Sequence, residues 1–216
     1  MARTRIKICG ITEEDSALAA AECGADALGF VFFKGSARYI EPARAWEIVS
    51  MLPPFVHTVG LFVNPKPDQV DDVRQSCPFD MTQLHGNEPE PVVRACMPPL
   101  IKAVKFDPAT IEHELRKWSL VEEVMAVLVD GSSGGEGVAF DWSALAAVRD
   151  ACEHPLIIAG GLTPENVGEA IRVVRPWAVD VSSGVERAKG VKDVGLIAEF
   201  CEAVRDVDAE LEEEGA

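Results

Sequence analysis

Four polar side chains stand at or just after the ends of short apolar runs: Cys9, His85, Asp130 and Ser182. A thiolate can remove a proton and a carboxyl group can supply one, so Cys9 and Asp130 could act as base and acid in a proton-transfer reaction. Each also has an ordinary alternative: Cys9 alone could be a small buried hydrophobic residue, and Asp130, before Gly131, could be a turn or cap residue. Their recurrence at the same kind of position favours a shared site.

Two glycine-bearing turns follow the last two apolar runs. Glycine lets backbone N–H groups approach a phosphate closely, and a helix N-terminus adds favourable partial charge. Either turn alone could simply reverse the chain. Together they predict a phosphate site formed by Gly160, Gly161, Ser182, Ser183 and Gly184. The run Gly131–Gly137 is typical of a mobile active-site loop, or is a plain connector.

The elements that would position these groups are eight short apolar runs whose starts lie 21 to 30 residues apart. The runs are Arg5–Cys9, Ala27–Phe32, Val56–Val63, Asp80–Leu84, Ile101–Val104, Met125–Val129, Pro155–Ala159 and Trp177–Val181. Each gap has room for a helix of about ten residues and two loops. This alternation predicts an α/β fold with parallel strands. Eight units favour a single (β/α)₈ TIM barrel, with an open doubly wound sheet as the alternative.

Several gaps carry helix patterns. Helices are predicted over Ser16–Cys23, Ala43–Leu52, Trp142–Cys152 and Asn166–Val174. Thr12 with Asp15 resembles a capping box, and Thr163 followed by Pro164 is a candidate N-cap.

Because side chains alternate along a strand, the polar members of the runs can be assigned to a face. The apolar partners suit the helix side, so the residues predicted to point into the barrel are Lys7, Cys9, Leu128, Asp130, Asp180 and Ser182, with Gln83 and His85 together on one face. The C-terminal strand ends form the rim at which barrel enzymes carry their chemistry. His85 and Asp180 are therefore expected to contact a substrate.

Composition sets the broad class. The chain has 216 residues, of which 48% are hydrophobic, and carries 20 basic against 36 acidic residues for a net charge of −16. A surface this acidic is a poor partner for nucleic acid or anionic lipid. Residues 206–216 hold six acids and no base. We therefore expect a barrel domain over residues 1–205 and a disordered acidic tail over residues 206–216.

The location and redox state are also predicted. No apolar run approaches the roughly 18 residues needed to span a membrane, and the start lacks a signal-peptide core. A cytoplasmic protein with reduced thiols is expected. The six cysteines form no C-x-x-C pair and the four histidines are scattered, so no metal site is predicted.

Nine segments together resemble the phosphoribosylanthranilate isomerases of tryptophan biosynthesis, in the right order over nearly the whole chain. They are Lys7-Ile8-Cys9-Gly10-Ile11-Thr12, Gly29-Phe30-Val31-Phe32 with Ser36 and Arg38, Gly60-Leu61-Phe62-Val63-Asn64, Gln83-Leu84-His85-Gly86, Leu128-Val129-Asp130, Phe140-Asp141-Trp142, Ala159-Gly160-Gly161-Leu162, Asp180-Val181-Ser182-Ser183-Gly184-Val185-Glu186 and Lys192-Asp193.

The resemblance implies a barrel without metal or organic cofactor that acts on a small phosphosugar–anthranilate substrate, as a monomer or homodimer. The implied reaction is the Amadori rearrangement of N-(5-phosphoribosyl)anthranilate to 1-(2-carboxyphenylamino)-1-deoxyribulose 5-phosphate. By resemblance, Cys9 corresponds to the general base, Asp130 to the general acid and Arg38 to the contact with the anthranilate part. The two glycine turns correspond to the phosphate-binding loops.

These roles make physical demands. A free cysteine has a pKa of about 8.5, so a nearby cation would help Cys9 to ionise. Lys7 lies two residues earlier on the same strand face, roughly 6–7 Å away, and either favours that thiolate or fills the interior beside an acid such as Asp180. Arg38 could meet a carboxylate with a pair of hydrogen bonds, or be a surface arginine.

Two other functions remain open at this stage. A pentose-phosphate epimerase would need histidine and acidic ligands around a metal, and only His85 lies at the end of a strand. A non-catalytic barrel that binds a phosphorylated metabolite would keep the glycine turns without needing Cys9 opposite Asp130.

Overall fold

The structure is a computed structural model that describes residues 3–131 and 140–214. Eight parallel strands form a closed barrel in chain order, and β1 pairs with β8 to close it. The strands are β1 (Arg5–Cys9), β2 (Ala27–Val31), β3 (His57–Phe62), β4 (Met81–Leu84), β5 (Leu100–Lys105), β6 (Val124–Asp130), β7 (Leu156–Ala159) and β8 (Ala178–Val181). All eight predicted strands are confirmed, and the open-sheet alternative is wrong.

Helices cover the outside of the barrel. They are α1 (Glu14–Glu22), α2 (Pro42–Val49), α3 (Pro67–Ser76), α4 (Glu90–Ala95), α5 (Ile111–Ser119), α6 (Trp142–Ala146), α7 (Val167–Val174) and α8 (Val194–Glu214). The helix predicted to reach Cys152 ends at Ala146, and a short 3₁₀ turn, Arg149–Ala151, follows it. A hairpin of β9 (Glu186–Ala188) and β10 (Val191–Lys192), which the sequence analysis did not predict, follows β8.

The capping box predicted at Thr12 and Asp15 is wrong. Glu13 occupies the N-cap position of α1, without a side-chain capping bond. Asn166 precedes α7, and its side-chain oxygen accepts a hydrogen bond from the Thr163 N–H at 2.8 Å. The Thr163 carbonyl accepts the N–H groups of Asn166 at 3.2 Å and Val167 at 3.0 Å. The turn of residues 164–166 that Thr163 begins therefore leads directly into α7.

The packing of the strands confirms the predicted faces. The outward residues Ile6, Ile8, Val127, Val129, Val179 and Val181 belong to the large core between barrel and helices. The interior holds a separate cluster of small and branched side chains: Ala27, Val59, Ile101, Ala103, Ala126, Leu128, Ile157, Ala159 and Ala178. A third cluster of Cys9, Val31 and Leu61 lies at the C-terminal mouth. An eight-stranded barrel is just wide enough for such layers.

The acidic end of the chain is helical as far as the structure describes it. Residues 206–214 continue α8, and Val207 and Leu211 are buried on one face of it. The Thr4 N–H and hydroxyl donate to the Asp208 carboxylate at 2.6 and 2.7 Å. The expected disordered tail is therefore wrong for residues 206–214, because an apolar stripe continues among the acids and packs the helix onto the barrel.

Two further expectations concern the glycine-rich run after β6 and membrane-spanning segments. Apart from Gly131, the run Gly131–Gly137 lies outside the described residues. No helix among the described residues combines the length and apolar character needed to cross a bilayer.

Candidate active site

A cavity of about 720 Å³ opens at the C-terminal mouth of the barrel. Nine of the ten predicted site residues line it: Cys9, Arg38, His85, Asp130, Gly160, Gly161, Asp180, Ser182 and Ser183. The tenth, Gly184, lies behind the lining, where an added Cβ would overlap the carbonyl oxygen of Leu162. The thiol from β1 and the carboxyl from β6 therefore share one cavity.

Cys9 ends β1 beside Gly29 of β2, its partner in the strand register. A Cβ at Gly29 would lie 2.8 Å from Cys9 Sγ, so the glycine leaves the room that the sulfur occupies. Burial raises the pKa of Cys9, and the Asp180 charge adds to this, while the charges of Lys7 and Lys192 lower the pKa without offsetting the rise. The thiol form is therefore favoured in the free protein.

Lys7 lies deeper in the barrel and pairs with Asp180, Nζ to Oδ1 at 2.9 Å, with both side chains buried. Burial lowers the pKa of Lys7, but the charges of Asp180 and Cys9 outweigh it and raise the pKa. Lys7 is thus held as a cation. The expected thiolate-favouring effect exists, yet it is smaller than the burial effect, and the alternative pairing with Asp180 is confirmed.

Asp130 ends β6 against His85, whose Nε2 lies 3.3 Å from Asp130 Oδ2. His85 Nδ1 in turn lies 2.9 Å from Gln83 Nε2, and Gln83 is fully buried. Gly160 has a φ of +84°, and a Cβ there would lie 2.6 Å from Asp130 Oδ1. His85 therefore contacts the acid directly, an arrangement that the sequence analysis did not foresee.

Arg38 is buried rather than a surface arginine. Its Nε and Nη2 donate to the two carboxylate oxygens of Glu186 at 2.7 and 3.0 Å. A Cβ at Gly10 would lie 2.5 Å from Arg38 Cδ, so the arginine stem packs against that glycine. One edge of the guanidinium is therefore taken by Glu186, and a ligand carboxylate would meet the outer Nη1–Nη2 edge.

Glu186 is itself held in place. Lys192 Nζ lies 2.9 Å from its Oε1, and the Gly190 N–H donates to its Oε2 at 3.1 Å. Burial raises the pKa of Glu186, but the hydrogen bond from Arg38 and the charge of Lys192 lower it further than burial raises it. Glu186 and Lys192 lie within the motifs that carry the family resemblance, but no role is predicted for either one from the sequence.

The loops after β7 and β8 pack closely. Gly160 and Gly161 both have positive φ, and Asn166 Nδ2 donates to the Gly161 carbonyl at 2.8 Å. The Ser182 hydroxyl donates to the Cys9 carbonyl at 3.0 Å. Arg187 and Lys189 of the following hairpin also line the cavity. These cations place local positive charge at the mouth of an acidic protein, and the sequence analysis missed them.

Three kinds of comparison agree on relatives. The model of the family "N-(5'-phosphoribosyl)anthranilate (PRA) isomerase" matches residues 6–203. An N-(5'-phosphoribosyl)anthranilate isomerase of Hahella chejuensis is 47% identical over 203 residues, which cover 92% of this chain and 92% of the relative.

Two solved structures are similar throughout. A phosphoribosyl anthranilate isomerase in complex with reduced 1-(o-carboxyphenylamino)-1-deoxyribulose 5-phosphate is 41% identical, with a TM-score of 0.81, covering 94% of this chain and 99% of the other. Generated monomers of the dimeric enzyme from Thermotoga maritima are 40% identical, also with a TM-score of 0.81 and the same coverage of both chains.

Proposed function

This chain belongs to the N-(5'-phosphoribosyl)anthranilate isomerase family, and from that premise we propose that Cys9 and Asp130 carry out the two proton transfers of its reaction. The protein is an isomerase of tryptophan biosynthesis that performs the Amadori rearrangement of N-(5-phosphoribosyl)anthranilate. The observation that carries the assignment of roles is that both side chains line the same cavity.

In the proposed first step, the Asp130 carboxyl gives its proton to the ring oxygen of the ribose. The C1′–O bond breaks as the anilino nitrogen supplies its electron pair, and a Schiff-base cation forms. Asp130 is left as a carboxylate beside His85, a hydrogen-bonding partner for the charge that develops there.

In the second step, Cys9 as a thiolate removes the proton from C2′ of the cation. The electron pair of that C–H bond neutralises the nitrogen and gives an enolamine, which tautomerises to the ketose product. Lys7, held charged by Asp180, supplies positive charge beside the sulfur, and the adjacent substrate cation adds to it. Both favour the thiolate over the thiol.

Binding is proposed to follow the anionic groups of the substrate. The outer edge of Arg38 would receive the anthranilate carboxylate, and His85 and Asp180 would contact the substrate between the two ends. Gly160, Gly161, Ser182, Ser183 and Gly184 form the proposed phosphate loops. Arg187 and Lys189, which line the same cavity, add charge that favours both anions.

The test is turnover of Cys9→Ala and Asp130→Asn. We expect kcat to fall by about 10²–10⁴, the usual contribution of a positioned acid or base, while thermal unfolding stays close to that of the parent. Cys96→Ala serves as the control, since Cys96 is buried away from the cavity and its loss should spare kcat. Near-parent turnover in either active-site variant would contradict the role assigned to that residue.

We also propose that the protein is a cytoplasmic homodimer. All six cysteines are free, which suits a reducing compartment. Phe55 is 96% exposed and has a φ of +73°. It lines a shallow depression together with Leu52 and the exposed Pro53 and Pro54, and an exposed apolar patch of this kind is typical of an interface. The related enzyme from Thermotoga maritima is described as dimeric.

A further inference from the structure

A buried ion pair lies behind the rim of the barrel, outside the cavity. Lys102 Nζ of β5 is 2.8 Å from Glu88 Oε2, and the two residues are only 2% and 3% exposed. Lys102 extends on the helix side of β5, and its ammonium lies 5.5 Å from the ring of Trp118. Neither charged residue lines the cavity, and no step of the proposed reaction uses either one.

The remaining contacts of the pair are with backbone, mostly that of two loops. Lys102 Nζ donates to the carbonyls of Gly86 at 2.8 Å, Ala103 at 2.8 Å and Leu84 at 3.3 Å. Glu88 Oε1 accepts the N–H groups of Asn64 and Gly86, both at 2.9 Å. The Glu88–Lys102 pair therefore fastens the loop after β3 and the loop after β4 to β5.

The two loops also interlock directly. Asn64 is in the left-handed region with a φ of +49°, and its Oδ1 accepts the Asn87 N–H at 2.8 Å. A Cβ at Gly86 would overlap Asn64 Oδ1. A non-glycine residue in this conformation carries a strain cost that the surrounding contacts must offset. The pair thus selects one arrangement of these loops.

That arrangement controls two cavity residues. Val63 precedes Asn64, His85 precedes Gly86, and both line the cavity. The His85 ring is the one that lies 3.3 Å from the Asp130 carboxyl. We propose that Glu88 and Lys102 are positioning residues, which hold His85 against Asp130 and so set the rate of the acid-catalysed step. The inference rests on the proposed role of Asp130 as the acid.

The energetics of buried charge support a positioning role over a purely stabilising one. Apolar replacement of a buried ion pair is often neutral for stability, so such a pair is weak evidence for a stabilising purpose. Burial raises the pKa of Glu88, but the charge and hydrogen bond of Lys102 lower it further than burial raises it. From α5, the charges of Glu114 and Lys117 also act on Lys102. Burial lowers the pKa of Lys102, and the charge and hydrogen bond of Glu88 raise it without offsetting that effect. At 2.8 Å, the contact between Lys102 Nζ and Glu88 Oε2 is a charge-assisted hydrogen bond.

The experiment compares Glu88→Gln and the double variant Glu88→Gln/Lys102→Met with the parent chain. We expect kcat to fall about 10-fold or more, since a misplacement of about 1 Å can cost about 10²-fold, while KM changes less. The pH profile of kcat should shift. The NMR resonances of the His85 ring, assigned with a His85→Asn spectrum, should also move, because the ring leaves its position against the Asp130 carboxyl.

The matched control is Asp80→Asn. Asp80 Oδ2 accepts the Thr58 N–H at 2.7 Å and its hydroxyl at 3.0 Å, fastening β3 at the end opposite the mouth. This variant should unfold at a lower temperature while keeping the pH profile of kcat and the His85 ring resonances of the parent.

The outcomes separate a positioning role of the Glu88–Lys102 pair from a purely structural one. If the Glu88 and Lys102 variants are less stable but keep the parental kcat, pH profile of kcat and His85 ring resonances, the pair is only structural and the inference is overturned. Should the double variant fail to fold, Glu88→Gln decides alone, because it keeps the shape and an acceptor oxygen. If Asp130→Asn keeps its turnover, the acid assignment fails instead, whatever the behaviour of the pair.

Discussion

The charges around the Cys9 sulfur oppose each other, and their balance decides whether it is a thiol or a thiolate. Burial and Asp180 raise the pKa, whereas Lys7 and Lys192 lower it. Because the pKa of the Cys9 thiol is raised, more of the proposed base becomes thiolate as the pH increases. The kcat/KM of the free enzyme should therefore rise with pH until Cys9 is ionised.

Lys7→Met tests this balance. Removing the ammonium removes a charge that lowers the pKa of Cys9, so that pKa rises further and less thiolate is present at any given pH. We expect the Cys9 limb of the kcat/KM profile to move to higher pH, measured across the neutral and alkaline range.

The single variant leaves Asp180 buried without its partner, which is costly in itself. Lys7→Met/Asp180→Asn is the appropriate companion, because it removes one charge that lowers the pKa and one that raises it. In the double variant, the Cys9 limb of the kcat/KM profile should shift less than it does in Lys7→Met. A limb that stays in place in Lys7→Met would show that Lys7 does not influence the sulfur.

At the residue scale, the sequence predicts which face of a strand a side chain occupies better than it predicts which residue that side chain pairs with. The period of two along β1, β6 and β8 put Cys9, Asp130 and Asp180 on the inner face, because helix packing requires the apolar alternates outside. It carried no information on the pairing of Arg38 with Glu186, which lies 148 residues further along the chain. Such a pair depends on where a hairpin folds after β8, and local spacing does not encode that.

Among the elements, the loops after β7 and β8 depend on glycine for different reasons. Gly160 needs both its positive φ and the space beside Asp130, while Gly184 must let the two loops meet backbone to backbone. A phosphate site made from main-chain N–H groups keeps its shape only if those backbones stay in register.

Gly184→Ala should separate these loops. The added methyl group overlaps the Leu162 carbonyl, and relieving an overpacked contact costs about 1–3 kcal/mol. We expect KM to rise and the unfolding temperature to fall, while kcat at saturation is less affected. Steady-state kinetics and thermal melts measure both effects.

Gly168→Ala is the control for that variant. Gly168 lies within α7, where the nearest atom to an added Cβ is Arg172 Nη1 at 3.3 Å, the movable end of a long side chain. Alanine inside a helix is favoured by roughly 0.5–1 kcal/mol. Parental KM in both variants would argue against a phosphate role for the loop that contains Gly184.

Element boundaries were predicted within one residue for the strands and less well for the helices. The apolar runs have sharp ends, since both faces of a barrel strand are buried. In α8, the acidic residues from Asp206 onwards alternate with an apolar stripe that includes Val207 and Leu211. The net charge of that segment predicts a tail, but Val207 and Leu211 are spaced four residues apart and share one buried face of the helix.

Over the whole molecule, the strong negative charge and the exposed Phe55 have opposite effects on self-association. A net charge of −16 keeps copies apart at long range, although salt screens this repulsion within about 10 Å at 0.1 M. Burying an apolar side chain acts at contact and gains roughly 1.5–3 kcal/mol. A dimer therefore depends on a few apolar contacts.

Phe55→Asp should convert the proposed dimer into monomers, measured as molar mass by sedimentation equilibrium. Leu120→Asp is the matched control, since Leu120 is also largely exposed, at 76%, on a loop remote in sequence. It should keep the mass of the parent. A monomeric parent, or a Phe55→Asp protein with the mass of two chains, would refute the proposed interface.

The hydrogen bond from Ser182 to the Cys9 carbonyl joins residues 173 positions apart. The ring of strands cannot close until β8 has left the ribosome, and by then most of the chain has been synthesised. Cys9 is therefore synthesised well before Asp180 and Ser182, the residues of the last strand and its loop that act on its sulfur and its carbonyl. We therefore expect a chain that stops before β8 to lack the surroundings of Cys9 that the closed barrel provides.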